Sequence, residues 1–408
     1  MSHTPKQWGV GTICFYEVSQ MKKLLQILSY VLVAAVASCL TLFLTVPTLP
    51  RGGTKLDELR AIIDQMFIGE VDPVKLEDGA AEGMVNALGD RWSYYIPADQ
   101  YNSYDEQMKN AYVGIGITVV AREDGQGFDV QKVNAGGTAE ESGLLPGDII
   151  VGVDGVDVKT KSLDDLTAMI KGEANTTVRL TVLRNGETLD FTVQRRQIKV
   201  IVATGEMLEG NVGLVTITNF DSRCAEETIA AIDALLEQGA QYLLFDVRYN
   251  PGGYKSELVK VLDHLLPEGP LFRSLYYDGR ETVDSSGPGC VEVPMAVLVN
   301  GSSYSAAEFF AAAIREYEAG FIVGTQTVGK GYFQNTMRLS DGSAVGLSVG
   351  KYFTPNGVCL ADVGGLTPDV VVQVDDATAY AIYSCTLDPM EDPQITAAID
   401  RLLNNEVS

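Results

Sequence analysis

The sequence predicts a multidomain α+β protein in which an apolar N-terminal helix, a helical segment, a compact β-domain and an α/β core follow one another along 408 residues. Three observations predict it. Leu24 to Val46 carries no charged residue and is long enough to span a bilayer. Between Tyr112 and Gln197, short runs and glycine turns read as strands: Val178, Leu180 and Val182 share one face, Asn185-Gly186 makes a hairpin, and Leu189, Phe191 and Val193 return. Past Lys199, apolar runs of strand length alternate with helical periodicity, the pattern of an α/β layer. A hydrophobic content of 46% can fill more than one core at this length.

Met1 to Gln20 is polar and without pattern, so Met21 is a candidate true start and 1–20 an N-terminal extension. Residues 21–50 read as a transmembrane signal anchor. The pair Lys22-Lys23 lies on its N-terminal flank, which keeps that end in the cytoplasm and sends everything after Pro50 outside. A cleaved signal peptide fits less well, because no small-x-small site closes the apolar run. Val36-Ala37-Ser38-Cys39 has the look of a lipoprotein box, but apolar residues continue through Val46.

Residues 54–110 form a helical segment, with Leu56, Leu59, Ile62, Ile63 and Met66 at helical spacing and a second helix around Gly79 to Leu88. Trp92, Tyr94, Tyr95 and Tyr101 cluster after it and read as packing between helices and the next domain rather than as a substrate gate. The β-domain, 111–197, opens on Tyr112-Val113-Gly114-Ile115-Gly116-Ile117. Gly114 precedes a strand rather than a helix, which excludes a nucleotide-binding glycine loop. Within the domain Ser162 caps a short helix with Leu163, Leu166 and Ile170 on one face and Gly172 after its end.

The α/β core, 198–385, contains strands near Val212 to Ile217 and Tyr242 to Val247, a helix from Ala225 to Leu236, and the glycine loop Arg248-Tyr249-Asn250-Pro251-Gly252-Gly253. Its central stretch is Met295 to Gln334: a buried strand to Val299, a turn over 300–303, a helix with Phe310, Ala313, Ile314 and Tyr317 on one stripe, and a strand leading to Gly329-Lys330-Gly331. A C-terminal helix and tail, 386–408, follows, amphipathic after Pro393.

Ser305 falls in the first turn of the helix, where unpaired amides and the positive end of the dipole favour an oxyanion. A serine hydroxyl needs a base, and histidine is nearly absent: His3 lies outside any domain and His264 on an ordinary helix face, VLDHLL. Lys330, between glycines and followed by Tyr332 and Phe333, sits where a neutral amine is favoured, as a lysine base requires. If Lys330 to Gln334 is extended, Lys330, Tyr332 and Gln334 share a face, and the Gln334 amide can orient the lysine amine.

Composition narrows the partners. A formal net charge of -24 and a pI near 4.4 oppose binding to nucleic acid and anionic lipid, so membrane attachment must be hydrophobic. Cys14, Cys39, Cys224, Cys290, Cys359 and Cys385 show no CxxC spacing and no histidine companions, so no metal or cofactor is expected. Buried free thiols are the expected state, with a Cys290–Cys359 pair the alternative in an oxidising compartment.

The turn 300–305 with Glu308, the Ala-rich helix and V-G-K-G-x-x-Q together resemble the C-terminal processing (tail-specific) peptidase family of serine proteases. The likeness extends from about Leu56 to Val372. It includes Gly83-Met84 through Leu88, Asp90 and Ser93, the D-x-R-x-N-P-G-G loop ending at Gly253, Tyr352 to Asn356, and Leu366-Thr367-Pro368-Asp369. Tyr112 to Gln197, with Leu144 to Val158, is similar to a PDZ domain. The resemblance implies an N-terminal membrane helix, a helical segment, a PDZ β-domain and an α/β protease core. Ser305 is implied as nucleophile, Lys330 as base and Gln334 as its orienting partner. One oxyanion-hole amide would come from Ala306 and the other from Gly252 or Gly253. Glu308 takes the family's acidic position. The sequence departs from the family at Tyr304 and Ala307, which replace small or serine residues and can narrow the site's mouth, and at Glu316, where aspartate is usual.

In the PDZ domain, Tyr112, Val113, Gly114, Ile115, Gly116 and Ile117 with Leu166 and Ile170 are the expected peptide-binding residues. Amides of the glycine loop would hold a terminal carboxylate, and the peptide would add as a strand. The expected activity is that of a membrane-anchored serine endopeptidase, outside the cytoplasm, that reads apolar free C-termini of protein or peptide substrates. A homodimer is one state open to it. The alternative is a catalytically silent PDZ scaffold; an α/β esterase or amidase would leave the carboxylate-binding domain unexplained.

Overall fold

The computed structural model describes residues 11–45, 53–122, 124–134 and 136–404; His3, Pro50 and the last four residues of the expected polar tail lie outside the described residues. Two compact units are present, Met1–Ala81 and Glu82–Ser408.

In the first unit one helix runs from Gly11 to Thr45, so the patternless reading of 11–20 does not hold. From Thr12 to Gln20 there is no glycine or proline, and an existing helix extends cheaply into any such sequence. Its Met21–Thr41 portion is long and apolar enough to cross a membrane. A second helix, Lys55–Met66, is started by a reciprocal cap: Asp57 N–H donates to Thr54 Oγ1 and Thr54 N–H donates to Asp57 Oδ2 at 2.7 Å.

The second unit contains the PDZ-like domain and the α/β core. In the former a sheet runs in the order 117–121, 128–133, 149–153, 177–184, 187–194. The 177–184 and 187–194 strands pair around Asn185-Gly186, and Asn185 has the positive φ such a turn demands. Val178, Leu180 and Val182 are fully buried. Among the described residues the strand Ile117–Ala121 pairs only with 128–133, which leaves its other edge open. The helix Leu163–Ile170, capped by Ser162 and Asp165, is divided differently from the sequence reading. Leu166 and Ile170 face the domain core together with Ile115, whereas Leu163 and Thr167 remain exposed. Positions i and i+4 make the inward stripe, and the helix is too short to bury a wider one. Leu166, Ile170 and Ile115 are therefore core residues of this domain. Tyr112, Val113 and Gly114 pair with the strand Arg196–Lys199.

The core sheet has the order 203–208, 212–217, 242–246, 295–299, 320–324, 370–371, and all but the first strand are parallel. Side-chain alternation divides it into two faces. Leu243, Phe245, Val297, Val299 and Ile322 join one cluster with the helices Cys224–Glu237, Lys255–Leu265 and Ala306–Glu316. Leu244, Ala296, Leu298, Phe321 and Val323 join the other, against the C-terminal helix Pro393–Leu403. Buried on both faces, these strands read as continuous apolar runs. Arg248 anchors that helix, donating to Asp392 at 2.7 Å and to Gln394 at 2.9 Å. A second, antiparallel sheet brings together 94–96, 344–353, 269–276 and 281–286, with 332–338 beside 344–353. Cys290 and Cys359 are free thiols, not a pair.

Candidate active site

The site lies past the carboxyl ends of four neighbouring parallel strands, where open α/β sheets place their ligands. The strand Met295–Val299 ends at Asn300, whose side chain receives amides of Tyr249 and Ser302, each at 3.0 Å. Ser303 Oγ donates to Val247 O at 2.7 Å, and Tyr304 N–H donates to Asn250 O at 3.1 Å. These bonds fasten the serine turn to the glycine loop beside it.

Ser305 is not inside the helix but immediately before it, at φ 58° and ψ -125°. A residue with a Cβ rarely adopts that conformation, and its use here turns the chain sharply from strand to helix. Ser305 is 8% exposed.

Gly252 packs directly against this turn. A Cβ there would lie 2.7 Å from Ser305 Cβ and 2.9 Å from Ala306 N, at a φ of 90° that L side chains rarely adopt. The two glycines are not equivalent. Gly252 N–H donates to Asn250 Oδ1 at 2.8 Å, and Gly252 O accepts Phe220 N–H at 2.7 Å. Among the described residues Gly253 N–H and Ala306 N–H donate to nothing, so these are the two amides left for an oxyanion.

Glu308 is a residue whose importance the sequence only hinted at. Wholly buried, it receives four donors: Ser305 N–H at 3.0 Å and Lys330 N–H at 2.8 Å on Oε2, Gly329 N–H at 2.7 Å and the Thr327 hydroxyl on Oε1. Burial pushes its carboxyl up, and those hydrogen bonds oppose the shift.

Lys330 precedes the strand Tyr332–Arg338. Burial drives its amine down to about 8, against the attraction of Asp90 and Glu308 and with Arg91 adding to the depression. Its Nζ lies 4.6 Å from the Trp92 ring centroid and 5.7 Å from that of Tyr304. Trp92, read from sequence as packing, thus faces the lysine, and Tyr304 lies beside it. No hydrogen bond joins Ser305 Oγ to Lys330 Nζ among the described residues.

Gln334 does not reach Lys330. Its amide donates to Ser348 Oγ at 3.0 Å and to Tyr332 O at 3.4 Å. Strict alternation from Lys330 fails for two reasons: the strand starts only at Tyr332, and its pairing with 344–353 shifts register between Phe333 and Gln334. Glu316 lies apart from this cluster and accepts Asn356 N–H at 2.8 Å. His264 pairs with Asp233 at 3.0 Å on a helix face. Ser348 and Thr327 had no sequence signal, since nothing in a local pattern marks residues that reach the site from another strand or loop.

Comparison with known proteins agrees with this architecture. The profile of peptidase family S41 matches residues 211–372, and that of the PDZ domain matches 113–194. A carboxy-terminal processing protease, CtpA, of Bacillus subtilis (strain 168) is 33% identical over 370 residues, covering 87% of this chain and 79% of that protein. A probable CtpA-like serine protease of Staphylococcus aureus (strain N315) is 30% identical over 322 residues, 78% of this chain and 64% of that one. Among solved structures, a photosystem II D1 C-terminal processing protease aligns with a TM-score of 0.46 and 25% identity, covering 83% of this chain and 92% of that chain. With a relative of this identity and coverage, the chain belongs to the C-terminal processing peptidases, the PDZ-containing serine proteases of peptidase family S41.

Proposed function

We propose that this protein is a membrane-anchored endopeptidase that cuts proteins presenting apolar C-termini, with Ser305 as nucleophile and Lys330 as base. The observation that carries the reading is the buried Glu308 carboxylate. It ties the backbone of Ser305 to that of Lys330, while burial favours the neutral amine a base must be. Neutral Lys330 takes the hydroxyl proton as Ser305 Oγ attacks the scissile carbonyl. The oxyanion meets the unpaired amides of Gly253 and Ala306. Collapse breaks the C–N bond, the Lys330 ammonium returns its proton to the leaving amine, and an acyl-enzyme remains. Water, deprotonated by Lys330, then releases the acyl group as a carboxylic acid and restores Ser305. Gln334 serves Lys330 in this cycle only after leaving Ser348.

The open edge of Ile117–Ala121 suits an added strand, and the loop Gly114 to Ile117 suits a terminal carboxylate. The Met21–Thr41 helix supports anchoring, with the domains that follow held outside the cytoplasm.

The test is digestion, by the purified protein in detergent, of an unfolded substrate ending in either an apolar or a charged tail. Faster cleavage of the apolar-tailed substrate, abolished in Ser305→Ala and Lys330→Ala, is expected. Cleavage that survives Lys330→Ala removes the lysine from its role, and equal rates on both tails remove tail reading.

A further inference from the structure

We propose that Trp92 is a positioning residue for the base: with Tyr304 it forms an aromatic seat that fixes where the Lys330 amine rests. The inference depends on Lys330 acting as the base, and its test is built so that the two ideas can fail separately.

Lys330 has no carboxylate or carbonyl partner for its amine among the described residues. What surrounds Nζ is the Trp92 ring at 4.6 Å and the Tyr304 ring at 5.7 Å, the two rings lying 5.9 Å apart at 31°. A lysine side chain has a long, flexible stem, and a base that wanders is a poor base. An ion-pairing carboxylate would hold it still but would also stabilise the ammonium. Aromatic faces hold it in both states: the ring quadrupole attracts the ammonium, and the same apolar surface shields the neutral amine from water. The charged groups acting on the amine from around it are Asp90 and Glu308, which favour the cation, and Arg91, which opposes it. Arg91 places its guanidinium 4.1 Å from the Trp92 ring centroid, so the indole carries a cation besides Lys330.

The turn that bears Trp92 is itself fixed. Trp92 N–H donates to Asp90 Oδ1 at 3.1 Å, and Ser93 Oγ donates to Asp90 Oδ2 at 2.6 Å. Ser348 N–H donates to Ser93 Oγ at 3.1 Å, and Ser348 Oγ is the group that holds Gln334 at 3.0 Å. One short turn, Asp90 to Ser93, therefore holds Lys330 through an indole and Gln334 through a serine relay, although it precedes the PDZ domain in the chain.

The chain has two tryptophans, Trp8 and Trp92, so Trp8→Phe in the full-length protein in detergent leaves Trp92 as the only indole. Its fluorescence is followed against pH. A step centred near 8, absent when Lys330→Met is added, is expected, because the ammonium forms against the ring. A flat profile, or a step that persists with Lys330→Met, overturns the proposal. Peptidase kinetics supply the second readout. Trp92→Phe should keep kcat within about threefold, whereas Trp92→Ala should lower kcat by about tenfold or more at unchanged KM and move the pH midpoint upward as water reaches the amine. An unmoved midpoint in Trp92→Ala overturns the seat. A protein that shows the fluorescence step but never cleaves refutes the catalytic reading and leaves the seat standing; one that cleaves without the step does the reverse.

Discussion

Glu308 Oε2 accepts the backbone N–H of Ser305 at 3.0 Å and that of Lys330 at 2.8 Å, so one buried oxygen spans the two residues proposed to do the chemistry. Every group facing this carboxylate is a donor, the Thr327 hydroxyl included, since Thr327 Oγ1 also accepts Leu366 N–H at 2.8 Å. Glu308→Gln must therefore aim an NH2 group at one of these donor pairs. A fall in kcat of about 10- to 100-fold and a loss of ~2–4 kcal/mol in stability are expected, from orphaned buried amides. Kinetics with a denaturant titration check both. Full activity in Glu308→Gln would show that the carboxylate does not align the site.

The pH profile follows from the same burial. Lys330 works as a base only when neutral, and its amine titrates near 8. Below that value kcat/KM should rise by about tenfold per pH unit, and above it level off. Lys330→Arg should be inactive throughout, because a guanidinium stays charged at every accessible pH. A profile flat between pH 6 and 9 would assign the proton to another group.

Much of the fold could be read from the sequence, and physics explains which part. Met295–Val299 is a short apolar run bounded by turn residues, and that signature survives into the structure because the strand is buried on both faces. The Asn185-Gly186 hairpin is equally local. The serine, the lysine and the glycine loop were visible because their spacing in the chain matches a known family. What could not be read were relations across elements. Gln334 required the register shift between Phe333 and Gln334, which no alternation rule foresees. Trp92 looked like packing because its neighbours Tyr304 and Lys330 are more than two hundred residues away. The divided stripe of Leu163, Leu166 and Ile170 depended on how wide a face the sheet could cover.

The two candidate oxyanion amides of the glycine loop differ by a single bond. Because Gly252 N–H is held by Asn250 Oδ1 while Gly253 N–H is unpaired among the described residues, Gly253 is the one that can donate without rearrangement. Asn250→Ala should free Gly252 but also remove the bond from Asn250 Nδ2 to Ile217 O at 2.8 Å, loosening the loop. The sharper variant is Gly253→Ala. At a φ of 150° its Cβ would press on the Phe220 backbone and lie 2.7 Å from Asp221 N, so the loop must move away. Loss of about 2.7–4 kcal/mol of transition-state stabilisation, roughly 10²- to 10³-fold in kcat, is expected with KM little changed. Covalent labelling of Ser305 by a fluorophosphonate, slowed in parallel, would confirm the cause; an unchanged kcat would move the donor elsewhere.

Asp221 supplies a prediction about stability. It follows Phe220 beside Gly253, is 6% exposed, and its Oδ1 has no hydrogen-bond partner among the described residues. Burial raises its carboxyl to about 7. Below pH 4 both folded and unfolded chains hold the proton, and Asp221 contributes no pH dependence. Between about pH 4 and 7 the unfolded chain releases it while the native state keeps it, so stability must fall as pH rises through that window. Above 7 the full penalty is present, of order 2–4 kcal/mol for a shift of this size. Asp221→Asn removes the ionisation and keeps the shape. Its melting temperature should match the wild type at pH 4 and exceed it by several degrees at pH 8. The opposite order at pH 8 would mean that the carboxylate gains a partner when it ionises, and Tyr254 and Tyr304, whose hydroxyls its charge already influences, are the groups positioned to provide one.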